Sequence, residues 1–323
     1  MIRIPDKVVE RALLMMALSS MAVLSLITVF IFREGAPLVW KVGLGEFFST
    51  TWRPTAGHFG ISLMIVGSAV VTVGALVIGV PFGIACAVVL TELAPAKVRA
   101  ALKPAIEILA GIPSVVYGFL GIVVLMPAIR QVFGGPGASA LAGSIILGIM
   151  VLPTIIGISI DALQAVPRSY REGSLALGAT EWQTTWRVVL PAARSGIVAA
   201  VILGMGRAVG ETMAVIMVTG NSVQMPGSPL DPVRTLTANI ALEMGYAAGD
   251  HRAALFATGI VLFLIIMALN TLANTARGTK KTTASRAAAA PASPGGGAAA
   301  LGSAPVPDKG TAAPANAARR EGS

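Results

Sequence analysis

Charge is scarce in this sequence. Asp, Glu, Lys and Arg make up 12% of its 323 residues, about half the share of an ordinary soluble domain. Aromatic residues are fewer still, at 5%. The net charge of +9 is scattered between long uncharged runs rather than gathered into a basic stripe interleaved with aromatics, which argues against a nucleic-acid surface. The single cysteine, Cys86, lies within an apolar run, so one chain can build neither a disulfide framework nor a cysteine metal site. Its two histidines, His58 and His251, are far apart and carry no ligand spacing. No G-x-x-x-x-G-K-[ST] phosphate loop occurs anywhere. A chain of this kind that does work with ATP must draw on a partner that holds the nucleotide, so no cofactor is expected on this chain itself.

What is abundant is hydrophobic surface, at 55% of residues. A hydrocarbon core about 30 Å thick takes about 20 helical residues to cross. Uncharged stretches of that length predict an all-α polytopic membrane protein with about six transmembrane helices. Five are plain: Ala12–Phe32, Phe59–Thr91, Ile108–Ile129, Ala140–Ile160 and Ala253–Ala276. The sixth, Gly196–Val218, is interrupted by Arg207 and Glu211. Interior prolines such as Pro81, Pro113 and Pro153 are compatible with spanning helices, whose neighbours can satisfy the freed carbonyls. The first stretch follows a basic start like a signal peptide, but its 21 uncharged residues exceed the usual signal core of roughly 7–15. A retained helix is expected.

Lys and Arg concentrate on the cytoplasmic side of membrane proteins. The segments around residues 3–11, 97–103, 168–194 and 277–286 carry fourteen of them, and the opposite set, Arg33, Lys41, Arg53, Arg130, Arg234 and Arg252, numbers six. Both chain ends are therefore assigned to the cytoplasm of a plasma (inner) membrane protein. The expected organisation is a cytoplasmic N-terminus at 1–11, a permease domain at 12–276 and a tail at 277–323. The tail is rich in Ala, Pro and Gly, and that composition predicts disorder.

Residues 161–194 form a cytoplasmic segment longer than the usual connection of about 2–8 residues, so they should carry structure of their own. Ser169 with Glu172 and Thr180 with Gln183 read as capping boxes, Gly178 as a left-handed helix end, and Pro191 as the stop of the second helix. Trp182, Trp186, Val189 and Leu190 share one face of that second helix. Glu172-Gly173-Ser174, Gly178 and Val188-x-Leu190-Pro191 follow the spacing of the cytoplasmic EAA loop of ABC-transporter permeases, which this segment resembles. The resemblance implies coupling helices that dock into a groove on an ATPase subunit, with Glu172 and Gly178 carried over and Trp182, Trp186 and Pro191 in the same loop.

The interrupted span carries the sharper signal. Arg207 falls at its middle, about 16 Å from either end at about 1.5 Å per residue, where a guanidinium costs about 2.5–3.5 kcal/mol to insert. Glu211, four residues on, would share its helix face and neutralise it in part. Gly206 and Gly210 would line a strip open to another helix. A structural ion pair is one reading; a substrate pathway is the favoured one, because guanidinium suits bidentate recognition of an oxyanion. The string Gly206-Arg207-Ala208-Val209-Gly210-Glu211-Thr212-Met213-Ala214-Val215 is similar to a helix of the membrane subunits of bacterial phosphate-specific ABC transporters. Gly111-Ile112-Pro113-Ser114-Val115-Val116-Tyr117-Gly118-Phe119 and Thr91-Glu92-Leu93-Ala94-Pro95 agree with the same family. The loop bearing Phe47-Phe48, Thr51-Trp52-Arg53-Pro54 and Phe59-Gly60 looks more like the C-type than the A-type subunit.

That resemblance implies a type I ABC-importer permease fold and a phosphate pathway through Arg207, Glu211 and Thr212. It also implies a set of partners: a second, A-type membrane subunit, two ATPase subunits holding ATP and Mg, an outer phosphate-binding protein, and a phosphate-signalling regulator. Alternatives are an importer of sulfate or molybdate, a membrane subunit mainly concerned with phosphate signalling, and a secondary carrier. The last expects inverted repeats, and no second copy of the charged span is found. Glu92 and Glu107 are expected as interfacial charges paired with Lys97, Arg99 or Lys103. Tyr117 and Ser114 are expected to pack between helices, and Asp231, Arg234, Asp250 and Arg252 are expected in the outward loop.

Overall fold

The structure, a computed structural model, describes residues 6–278. The expected tail at 277–323 lies almost wholly outside the described residues, as does the start of the expected N-terminal segment. Six helices are long and apolar enough to cross a membrane among the described residues: Glu10–Val42, Ser62–Leu93, Ser114–Phe133, Ala140–Gln164, Glu181–Gly210 and Gly249–Thr275. Helices satisfy every backbone group within the segment, which is what makes them usable in hydrocarbon.

The first helix, α1 (Asp6–Val42), runs past the expected end at Phe32, through Arg33 and Glu34. Its apolar side chains are almost all exposed on this chain alone, as lipid-facing residues are. It packs on α13 (Gly249–Gly278) through the Phe30–Phe256 edge-to-face pair at 5.4 Å. The centre is built by α3 (Ser62–Val88) against α7 (Ala140–Gln164). Lipid supplies no hydrophobic drive to join two spanning helices, so close approach and packing must do it. Gly79 and Gly83 permit that approach: a Cβ on either would stand 2.7 Å from a methyl of Val151 or Ile155. Helix α10 (Leu190–Gly210) lies on the same side chains, with Gly204 against Ile155. Val71, Ala75, Leu147, Val151, Ile155 and Ala208 form the shared core.

The third span departs from expectation. It begins at Ser114 rather than Ile108, because Ile112 and Pro113 are extended and divide α4 (Ala96–Gly111) from α5 (Ser114–Leu120). Proline biases the residue before it away from helix. None of α4 is buried. Helix α6 (Met126–Phe133) completes this span. Three spans contain a widened π turn: Val89–Leu93 at the end of α3, Gly121–Leu125 between α5 and α6, and Thr185–Val189 ahead of α10.

The end of the bundle remote from residues 161–194 carries a small packed cap. It comprises α2 (Leu44–Phe47), a hairpin of β1 (Trp52–Arg53) and β2 (His58–Phe59) in antiparallel register Trp52↔Phe59, and α12 (Leu236–Glu243). Phe47, Trp52, Phe59, Met64, Leu236 and Leu255 fill its core. Burial of each such side chain from water stabilises by about 1.5–3 kcal/mol.

Candidate functional site

The interrupted span is broken, not merely charged. Helix α10 ends at Gly210; Glu211 is extended, with φ −70° and ψ 131°, and Thr212 leads into the short α11 (Met213–Val218). The break lies within the bundle. Gly204 sits beside Val151 and Ile155 near the middle of α7, and the Val218 carbonyl accepts from the amide of Ser139, the residue that caps the start of α7. Irregular backbone at this depth is tolerated where protein covers it or a watery cavity adjoins it.

The break corrects the expected Arg207–Glu211 pairing. Four residues apart on one continuous helix they would meet; across an unwound Gly210–Thr212 they do not, and no ion pair joins them among the described residues. The Glu211 carboxylate turns instead to the start of α11, accepting from the Ala214 amide at 3.3 Å. Its carbonyl accepts from the Thr237 hydroxyl of α12 at 2.9 Å. With Ser68, Thr72, Leu147 and Ala208, these two residues line a small cavity. Thr212 hydrogen-bonds locally, to the Gly210 carbonyl at 3.3 Å.

Arg207 occupies the last turn of α10, where a cation complements the helix dipole. It is exposed on this chain and forms no ion pair or side-chain hydrogen bond among the described residues. Tyr117, which sequence reasoning assigned to packing, is buried, donates to the Leu109 carbonyl at 2.9 Å, and lies within electrostatic reach of Arg207. Cβ atoms placed on Gly206 and Gly210 would meet nothing within 4 Å, so among the described residues no other helix crowds α10 at these two positions.

At the opposite end, residues 161–194 fold into α8 (Arg168–Ala176) and α9 (Glu181–Thr184). Gly178 takes φ +84°. Its amide donates to the Leu175 carbonyl at 2.9 Å and that of Ala179 to Ser174 at 3.2 Å, the paired bonds of a left-handed helix end. The Thr180–Gln183 capping box forms in both directions, at 3.2 and 3.0 Å. The Ser169–Glu172 box does not, because α8 starts after Pro167, which places Ser169 inside the helix.

Pro191 does not stop the second helix either. It falls at the start of α10, directly after the π turn at Thr185–Val189 that joins the two helices, and a π turn is a place where a helix takes up such an irregularity. One additional residue in that turn rotates the downstream helix by about 100°. Val189 is therefore fully buried while Trp182 and Trp186 stay 55% and 53% exposed, edge to face at 5.5 Å. Glu172 is exposed at the rim of a cavity of about 580 Å³ with Thr91, Glu92, Arg99, Arg168 and Arg171.

Glu92 is held by Arg171, not by its neighbours Lys97, Arg99 or Lys103. A second cluster also went unseen in the sequence. Glu243 of α12, 9% exposed in its side chain, accepts from Trp52 Nε1 at 3.0 Å and from Arg234 at 2.6 Å, and pairs with His251 Nε2 at 2.8 Å. Arg234 also donates to the Asn221 carbonyl and to Asn239. Asp231 accepts from the amides of Gly227 and Ser228, and Asp250 pairs with Lys41.

Six spanning helices, a broken fifth span and a structured loop between the fourth and fifth define a polytopic transport subunit. Residues 79–277 match the family model described as binding-protein-dependent transport system inner membrane component, and the chain belongs to that family of ABC-transporter permeases of the inner membrane. It is 45% identical over 77% of its length to the probable ABC transporter permease protein YqgH of Bacillus subtilis, covering 84% of that protein. It is 39% identical over 72% of its length to the phosphate transport system permease protein PstC of Xylella fastidiosa, covering 78% of it. Among solved structures, a bacterial alginate ABC transporter aligns with a TM-score of 0.56 at 15% identity, over 83% of this chain and 95% of that one. The MetNI methionine ABC transporter in an inward-facing form gives 0.51 at 21% identity, over 70% and 99%. At such identities these likenesses speak for the fold alone, that of type I ABC-importer permeases.

Proposed function

We propose that this chain is a translocation subunit of an ATP-driven importer of inorganic phosphate, with Arg207 at the pathway, Glu211 and Thr212 framing it, and both chain ends in the cytoplasm. The observation that carries the reading is the state of Arg207: a guanidinium at a helix break within the bundle, with no anionic partner among the described residues of its own chain and with an adjoining glycine strip that its own helices leave open. Exposed to lipid it would cost about 2.5–3.5 kcal/mol or more. Facing a similar second membrane subunit, it lines a path in which a passing oxyanion supplies the missing charge. The 39% identity to a phosphate transport permease favours phosphate over other oxyanions.

The energy enters elsewhere. Glu172, Gly178, Trp182, Trp186 and Pro191 belong to the loop that would dock on ATPase subunits, where ATP and Mg would be bound; the exposed tryptophan pair suits a helix-in-groove contact. An outer binding protein would deliver the anion and a regulator would sense its supply. Loop movement would change the side from which Arg207 can be reached, which is alternating access. Glu211, turned aside to cap α11, leaves the guanidinium accessible without removing negative charge from its surroundings, and conduction needs release as much as capture.

The test is ATP-dependent uptake of labelled phosphate by the complete transporter in liposomes. Arg207→Ala is expected to lose uptake while retaining the ATPase subunits, and Glu172→Ala to lose both. Uptake blocked by sulfate and indifferent to phosphate would overturn the choice of anion.

A further inference from the structure

We infer that Arg171 is a positioning residue that clamps the coupling helix to two spanning helices at once, so that α8 cannot move without carrying α3 and α7 with it. This rests on the proposed role of residues 161–194 as the ATPase-docking loop, and adds to it the side chain through which docking is transmitted.

The geometry is that of a three-way junction. Arg171 projects from the first half of α8. Its Nη2 donates to Glu92 Oε1 at 2.9 Å and its Nε to Oε2 at 3.3 Å, a two-pronged grip on the carboxylate. Glu92 lies in the π turn that closes α3. The remaining donors reach the end of α7: Nη1 to the Val166 carbonyl at 2.8 Å and Nη2 to Leu163 at 2.9 Å. Leu163 is in the last turn of α7 and Val166 just beyond it, where a cation complements the helix dipole.

The side chains of Arg171 and Glu92 are 23% and 12% exposed, so solvent screens the pair far less than it would a surface bridge. Only a guanidinium has a planar fork and spare donors for all four contacts; an ammonium would have to surrender some of them. On its other side α8 is tied by the Ser174–Thr184 hydroxyl pair at 2.9 Å to the buried Thr184 of α9, which leads into the span bearing Arg207. Through the clamp, a displacement of α8 is shared among the second, fourth and fifth spans. Without it, α8 keeps its short chain link to α7 and its contact with the stretch leading into the fifth span, but loses its hold on α3.

The experiment uses the whole transporter in liposomes and reads substrate taken up per ATP hydrolysed, with subunit stoichiometry after purification as the measure of assembly. Arg171→Gln and Glu92→Gln are each expected to assemble and to hydrolyse ATP while the uptake-to-ATP ratio falls about tenfold, the scale of coupling between residues in one network. Arg171→Lys should fall between wild type and these. The exchanged pair, R171E with E92R, can restore the ion pair but not the two donations to α7 carbonyls, so it should recover only part of the ratio, an outcome that a purely structural loss would not give. A ratio unchanged in Arg171→Gln overturns the clamp. Should Arg171→Gln and Glu92→Gln fail to assemble, Arg171→Lys, which keeps the charge, decides: a lowered ratio supports the clamp, and an unchanged ratio or a failure to assemble overturns it. A wild type that moves sulfate instead of phosphate overturns the anion reading alone, and the ratio measured with sulfate then tests the clamp.

Discussion

Two arginines in this chain differ in how completely they are answered. Arg234, 17% exposed in its side chain, is held by the Glu243 carboxylate, the Asn239 amide oxygen and the Asn221 carbonyl. Arg207 stands exposed at a helix break with none of these. A buried charge whose donors are met within the chain contributes to stability and register. One left unmet at membrane depth is costly, and on the function proposed above its complement would come from outside the chain. On that reading, this difference would separate a structural guanidinium from one that serves the pathway.

The comparison can be broken by crossing the two readouts. The largest effect is expected from Glu243→Ala, which strands Arg234 and frees Trp52 and His251; loss of one partner of a buried pair should cost about 3–5 kcal/mol, seen as a lower unfolding midpoint in detergent. Next, Arg207→Ala should reduce phosphate uptake about tenfold to a hundredfold, the worth of a charge-assisted contact of about 1.5–3 kcal/mol. Its unfolding midpoint should shift by no more than the roughly 0.5 kcal/mol of a surface change. If Arg207→Ala instead unfolded the protein as Glu243→Ala does, the distinction would collapse. Smaller effects sharpen it in residues 161–194, the proposed docking loop. Gly178→Ala forces a side chain into the left-handed region at about 1–2 kcal/mol. Thr180→Ala removes a cap worth about 1 kcal/mol. Both should weaken retention of the ATPase subunits while leaving the midpoint of the spanning bundle nearly unmoved.

Much of this was legible in residue order where the governing interaction is local. Spans follow from uncharged length, the Thr180–Gln183 box from two residues three apart, and the left-handed turn from Gly178. What was not legible depends on departures from regular helix or on distant partners. The break at Gly210–Thr212 is hidden because Arg207 and Glu211 keep the spacing of an intact helix. The π turn ahead of Leu190 separates Val189 from Trp182 and Trp186, which a regular period places together. Pro167 pre-empts the Ser169–Glu172 cap by starting the helix two residues early. The Glu243 cluster unites Trp52 with a residue 191 positions away, and no periodicity reports such a meeting. Arg171 and Glu92, 79 apart, were visible only as two charges near membrane ends.

The hydrogen bond from Thr237 to the Glu211 carbonyl has a mechanical consequence. Thr237 belongs to the same short helix as Glu243, which joins the hairpin through Trp52, the segment before α12 through Arg234 and the start of α13 through His251. That one bond is a direct link between the outer rim and the unwound backbone beside Arg207.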